Sequence, residues 1–219
     1  TYKYDKRSNL IETVDALGAR TLFYYDAQNR KIAEINALGV LTTWSYDPVG
    51  NVTAQRTYAV PVGLPVTAGG TPPGAPGGEV RETLFAYDAI NRRTSSTITN
   101  VYTGYWANGW FSGGTGNVTS TIEYDALGNV VRTTDANGGQ TYSYYDRAGR
   151  RIAQVDQEGY LTRWTLDAGG NVLQERRYAA RTSGATLVAQ PWVPDSGEDR
   201  ITNFGYDLNG RRVYEERLG

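Results

Sequence analysis

The sequence predicts an all-β fold of repeated antiparallel β-hairpins, laid side by side in one curved, twisted, continuous sheet. Three observations carry this. The pair Tyr-Asp recurs in phase along the chain, a turn signal falls about every ten residues, and the residues between turns alternate with period two. A helix would need a 3.6-residue period, and none survives between turns this close.

The repeat sets the frame. Asp5, Asp26, Asp47, Asp88, Asp125, Asp146, Asp167 and Asp207 hold one place in eight copies of a pattern, spaced 21, 21, 41, 37, 21, 21 and 40 residues apart. Tyr4, Tyr25, Tyr46, Tyr87, Tyr124, Tyr145 and Tyr206 precede seven of them, and Leu166 precedes the other. A unit of 21 residues is too short for a domain, so each copy must bury its apolar residues against its neighbours. A longer period overlies the short one: Asp5 to Asp125, Asp26 to Asp146 and Asp47 to Asp167 are each 120 residues apart. The chain therefore reads as a single array over residues 1–219, in two blocks of about 120 residues with the second cut short. It opens on Thr1 inside a repeat, so a piece of a longer array is expected.

Residues 39–58 show how one copy becomes a hairpin. Val40, Thr42, Trp44 and Tyr46 alternate with Leu41, Thr43 and Ser45 in a run rich in β-formers. Asp47-Pro48-Val49-Gly50 then places Asp first, Pro second and Gly fourth, the preference of a type I turn. Residues 51–58 form the return strand. The opposite hairpin end is turn-like as well, at residues 15–18, 36–39, 135–138 and 156–159. Each copy is thus two strands of about six to eight residues with a turn at each end.

Stacked copies give columns. Two residues before the Tyr position stand Tyr2, Phe23, Trp44, Phe85, Ile122, Ser143, Trp164 and Phe204, and two earlier again come Thr or Ser. Residues i, i+2 and i+4 share a strand face, so aromatic and hydroxyl ladders run along one side of the sheet. That side is expected to be the packed one, with Phe23, Trp44, Phe85, Ile122, Trp164 and Phe204 more buried than their alternates. Three residues past each Asp stand Ser8, Asn29, Gly50, Asn91, Gly128, Gly149, Gly170 and Gly210, mostly types that tolerate positive φ. The next position alternates strictly: Asn9, Arg30, Asn51, Arg92, Asn129, Arg150, Asn171, Arg211. Odd and even copies therefore meet different surroundings. Insertions at 60–80, 101–116 and 180–200 replace three of the distal turns, all at the same hairpin end.

Composition removes whole classes of function. Net charge is −1 with both signs interspersed, which gives no basic face for nucleic acid. The absence of Cys removes disulfides and thiol chemistry, and the absence of His removes the commonest general base and metal ligand. No apolar run approaches the length of a membrane helix.

The frame Tyr-Asp-x-x-Gly-Asn/Arg, with a Gly about 13 residues after the Asp, is closest to ideal from Tyr25 to Gly39, Tyr124 to Gly138 and Tyr145 to Gly159. In this it resembles the RHS or YD-repeat family. The resemblance covers the chain apart from the three insertions. It implies a long antiparallel sheet curling into a shell or barrel, as in polymorphic toxins, insecticidal toxin complexes and teneurins, where the shell encloses or carries a C-terminal domain. Toxin-like polypeptide or further repeats of the same chain are then the expected partners, in an exported bacterial protein that is secreted or held at the cell surface.

The residues expected to build the repeat are Tyr25, Asp26, Trp44, Tyr46, Asp47, Tyr87, Asp88, Tyr124, Asp125, Tyr145, Asp146, Trp164, Tyr206 and Asp207. One carboxylate per turn is explained by hydrogen bonds to the turn's own N–H groups, so no metal or cofactor is expected from the Asp column. The acidic residues Asp195, Glu198, Asp199, Glu215 and Glu216 suggest glycosidase carboxylates only if their separation suits it, and a non-enzymatic module is the favoured reading. Contact with glycans or a partner chain is assigned to aromatics inside the insertions: Tyr102, Tyr105, Trp106, Trp110, Phe111 and Trp192. Unpaired terminal strands are expected to associate edge to edge.

Overall fold

The computed structural model describes residues 1–63, 65–107, 110–182, 184–187 and 189–218, with the side chains of Tyr105, Ala107 and Phe111 also outside that set. None of the described residues is helical. Sixteen strands form one antiparallel sheet whose order is the order of the chain. They are β1 (Tyr2–Tyr4), β2 (Leu10–Val14), β3 (Arg20–Tyr25), β4 (Lys31–Ile35), β5 (Leu41–Tyr46), β6 (Val52–Tyr58), β7 (Val80–Tyr87) and β8 (Arg93–Ala107), followed by β9 (Trp110–Tyr124), β10 (Val130–Thr134), β11 (Gln140–Tyr145), β12 (Arg151–Val155), β13 (Tyr160–Leu166), β14 (Val172–Arg181), β15 (Arg200–Tyr206) and β16 (Arg212–Leu218). The chain divides into two compact units, Thr1–Thr119 and Ser120–Gly219, a boundary that falls on the 120-residue period.

Every Tyr-Asp turn closes alike. In the turn at Asp26, the Asp26 N–H donates to the Arg30 carbonyl (3.0 Å) and the Asn29 N–H donates back to the Asp26 carbonyl (3.1 Å). The residue three past the Asp has positive φ in all eight turns, from 60° at Asn29 to 101° at Gly50. This is the type I turn plus left-handed residue that suits a three-residue hairpin loop. Just beyond it the register slips by one residue, for example between Tyr24 and Tyr25 against β4 and between Ser45 and Tyr46 against β6. Each hairpin therefore carries a β-bulge next to its Tyr, and a bulge leaves ladder groups unpaired.

In the first unit Leu22, Tyr24, Ala33, Ile35 and Leu41 are buried on one side of β3–β5, and Val62 closes over them. The segment between β6 and β7 is the cover: the Val62 N–H donates to the Gly39 carbonyl (2.9 Å), and the Tyr24 hydroxyl donates to the Thr67 carbonyl (2.9 Å). The second unit repeats the design. Tyr144, Ala153, Val155, Leu161 and Tyr178 are buried beneath Val193. The Thr182 N–H donates to the Gly159 carbonyl (2.8 Å), and the Tyr144 hydroxyl donates to the Thr186 carbonyl (3.0 Å).

Two expectations are corrected here. The main core is on the opposite face from the Phe23–Trp44 column, since Leu22 and Tyr24 are buried while Phe23 and Trp44 stay half-exposed. The physical reason is the cover: the segments folded over the sheet exclude water from the Leu22–Tyr24 side. On β7 the original expectation holds, for Leu84 is exposed and Phe85 is the more buried. The insertion at 101–116 also exceeds the expected strand length of about six to eight residues. It lengthens β8 and β9 to 15 residues each, while the other two insertions run as covering segments.

Candidate functional site

The sequence marks Tyr-Asp as the working unit, and the structure shows what the unit does. Asp26 Oδ1 accepts from the backbone N–H groups of Gln28 and Arg30, both at 2.9 Å. Its Oδ2 accepts from the Arg30 Nε at 2.7 Å. Asp88, Asp146 and Asp207 do the same with Arg92, Arg150 and Arg211, whereas Asp5, Asp47, Asp125 and Asp167 take the amide of Asn9, Asn51, Asn129 and Asn171. These carboxyls all lie below the usual Asp range. The leading cause is the Asn side chain at Asp5, Asp125 and Asp167, and the Arg backbone N–H at Asp88, Asp146 and Asp207. At Asp26 and Asp47 partial burial is the largest single effect and pushes upward, yet the hydrogen bonds together outweigh it.

The Tyr joins one copy to the previous one. Tyr25, Tyr46, Tyr87, Tyr145 and Tyr206 donate their hydroxyls to the carbonyls of Leu10, Lys31, Val52, Val130 and Val172, at 2.7–3.1 Å. Those carbonyls sit where the bulge breaks the ladder, so the hydroxyl supplies the missing partner. The Asn/Arg alternation also makes contact between copies. Asn9 and Asn51 donate to Asn29 and Asn91 in the next turn (3.0 and 2.8 Å), and Arg30 and Arg150 reach the carbonyls of Asp47 and Asp167 (3.3 and 2.9 Å).

The aromatic column is covered by cations. Lys31 lies 4.4 Å from the Trp44 ring centre, Arg30 4.6 Å from Tyr46, Arg151 4.8 Å from Trp164 and Arg212 5.3 Å from Phe204. Cation–π contacts of this kind hold the half-exposed rings without a dry core. Rings so occupied are poor sugar-stacking platforms.

The insertion aromatics fall in two places. Tyr102, Trp106, Trp110 and Trp192 are 64, 75, 80 and 80% exposed. Tyr102 and Trp106 lie on β8, Trp110 on β9, and Trp192 on the cover of the second unit. Tyr105 and Phe111 fall outside the described side chains. Asp195 and Asp199 converge on one guanidinium nitrogen of Arg176, at 2.5 and 3.6 Å. Buried Asp199 also accepts from the Ala179 and Ser196 N–H groups, so both pin the cover to β14. Glu215 pairs with Arg217 (2.9 Å).

Two features escaped the sequence reading. Glu12 is 1% exposed, with Arg20 Nε 2.5 Å from Oε1 and the Lys3 ammonium 2.6 Å from Oε2. Those two cations, Lys3 first, hold its carboxyl below the usual range. At the matching positions Lys3 and Glu12 become Glu123 and Arg132, which are paired with the signs exchanged. That reciprocal swap was readable at the 120-residue offset.

The second feature is a groove that occurs in both units, beside the start of the covering segment. In the first unit it measures about 1160 Å³, with Thr57, Tyr58, Glu79, Arg81 and Ile98 in its wall. In the second it measures about 570 Å³, with Arg177, Tyr178, Glu198 and Arg200 at the corresponding places. The signal was the run Gly78-Glu79-x-Arg81-x-Thr83-x-Phe85-x-Tyr87-Asp88, which recurs as Gly197-Glu198-x-Arg200-x-Thr202-x-Phe204-x-Tyr206-Asp207.

The model of the RHS Repeat family matches residues 4–40, 124–156 and 145–183. Residues 4–40 and 124–183 carry RHS repeats. Their Tyr-Asp residues serve the repeat structure itself, closing turns and joining one copy to the next, as in a structural module. No curated protein matches the chain. Among solved structures, it is similar to the TcdB2-TccC3-Cdc42 crystal structure, at 16% identity and TM-score 0.49, over 99% of this chain and 11% of that one. Similarity to TcdB2-TccC3 is at 15% identity and TM-score 0.38, over 98% of this chain and 15% of that one. A Photorhabdus luminescens Tc holotoxin pore gives 13% and 0.38, over 99% and 12%. The RHS chain thus spans roughly a tenth of the length of the first of these.

Proposed function

We propose that this chain is a wall segment of an RHS shell that encloses or scaffolds a toxin-like polypeptide in an exported protein. The observation that carries the reading is the hairpin linkage. Each Tyr-Asp copy closes its own turn and, in five copies, also donates its hydroxyl to the copy before. Such a sheet grows by adding copies without redesign, which is what a wall requires. The test is protease protection in the longer protein that contains this segment. Any polypeptide C-terminal to the repeats should resist digestion while the repeats are folded and lose that resistance in denaturant. Digestion at the rate of the isolated polypeptide would refute enclosure.

A second reading is an extracellular adhesion module that binds carbohydrate or a partner chain. It is favoured by the exposure of Trp106, Trp110 and Trp192. A glycan array probed with this chain checks it: binding abolished by Trp110→Ala or Trp192→Ala supports adhesion, and a blank array removes the carbohydrate form of it.

A further inference from the structure

We propose that Arg177 and Arg200 form a carboxylate-binding site in the groove of the second unit, taking an acidic side chain of a bound polypeptide. The two arginines stand directly opposite each other, Arg177 on β14 and Arg200 on β15. Like charges in that relation destabilise a sheet unless something between them offsets the repulsion. Glu175 does so in part, accepting from the Arg177 Nε at 2.7 Å. The Arg200 guanidinium has no hydrogen bond or ion pair among the described residues, although its backbone belongs to the β14–β15 ladder. Two grooves of about 560 and 570 Å³ share this pair in their walls, so both guanidinium groups face accessible space.

The first unit supplies an internal comparison. There the equivalent pair is Thr57 opposite Arg81, and Thr57 shares a hydroxyl contact with Thr42 (3.2 Å). The two grooves thus share these strand positions, with a second guanidinium at them only in the second unit. Two guanidinium groups on directly opposed strand positions can converge on one carboxylate.

The wall also indicates the kind of ligand. Asp156, Glu175, Glu198 and Glu215 balance Arg177, Arg200, Arg212 and Arg217 in the same two grooves, which leaves no net positive wall for a polyanion, whether nucleic acid or an acidic polysaccharide. Trp164 is no bare sugar platform, since its Nε1 donates to Glu175 Oε2 (2.9 Å) and Arg151 covers its ring. An isolated acidic side chain in an otherwise neutral peptide needs only the local Arg177–Arg200 pair and no net positive wall. The inference deepens the wall reading by naming the chemistry the wall would hold, and its assay needs no enclosed cargo, so the two can fail separately.

The experiment follows arginine Nε–H signals of the whole 219-residue chain by NMR at low salt. The probe is a short Ser/Gly peptide with one central Glu, compared with its Gln counterpart and with glucuronic acid. The Glu peptide is expected to shift the Arg177 and Arg200 signals and to bind about three- to fivefold more tightly than the Gln peptide. Arg177→Thr, which installs the residue the first unit carries at this place, and Arg200→Gln should each remove that preference. Arg81→Gln should leave it intact. Equal binding of the two peptides, no binding of either, or a preference surviving Arg177→Thr in a chain with an unchanged β spectrum would overturn the site. Glucuronic acid binding the same signals more tightly than the Glu peptide would overturn the polypeptide assignment.

Discussion

At the scale of single residues, Tyr-Asp combines two separate functions in two adjacent side chains. The Asp satisfies the N–H groups of its own turn, and the Tyr supplies a donor to the carbonyl that the preceding bulge leaves open. Tyr46→Phe should therefore cost about 1 kcal/mol, because the Lys31 carbonyl loses its 2.7 Å partner while the ring still packs under Arg30. Urea unfolding of the variant checks this, and an unchanged midpoint would mean water replaces the hydroxyl at no cost. Gly149 offers the opposite test. Its φ is 75°, and its place in the turn is held by Asn29 and Asn91 in the first unit, where each accepts from the previous copy. A Cβ there would lie 3.5 Å from Asn129 Oδ1, an ordinary contact. Gly149→Asn should thus be neutral or stabilising by up to about 1 kcal/mol, as a left-handed Asn forms the missing link.

At the scale of elements, the covering segments decide which face of the hairpins becomes core. Leu41 and Leu161 are fully buried beneath them. Leu41→Ala should cost about 2–5 kcal/mol by leaving a cavity between sheet and cover. Trp44→Ala should cost less, although it removes a larger side chain, because its ring is half-exposed. The order of the two urea midpoints tests the assignment of faces, and a Trp44 variant less stable than the Leu41 variant would reverse it.

At the scale of the whole molecule, the eight Asp carboxyls and Glu12 share one direction of shift. Each is lowered in the folded chain, so the unfolded chain binds protons first as pH falls. Their contribution is complete above the unfolded carboxylate range, near pH 4–5, and drains away as pH drops through the lowered folded values. Thermal stability should accordingly be flat from about pH 5 to 7 and fall steeply below about pH 4. Holding Asp→Asn at one turn should flatten that acid limb slightly, and an acid limb unmoved by several such changes would place the titration elsewhere.

The hairpins, their turns and the order of the copies were all legible in the sequence, because a Tyr-Asp turn is a local device. Its partners lie within five residues or one repeat, so phase alone predicts them. The positive φ at Asn29 and Gly149 and the inter-copy contacts of Asn9 and Arg30 follow from the same period. Which face is buried was not legible locally, since Leu22–Tyr24 and Phe23–Tyr25 are both apolar enough to be core. That choice fell to the segments at 60–80 and 180–200, whose path over the sheet is set by contacts more than 40 residues apart, such as Tyr24 to Thr67 and Tyr144 to Thr186. The covering segment between β14 and β15 likewise hid the Arg177–Arg200 pair, which only the strand register brings face to face. Periodicity places a residue on a strand, but only tertiary structure shows what covers it and which charge it faces.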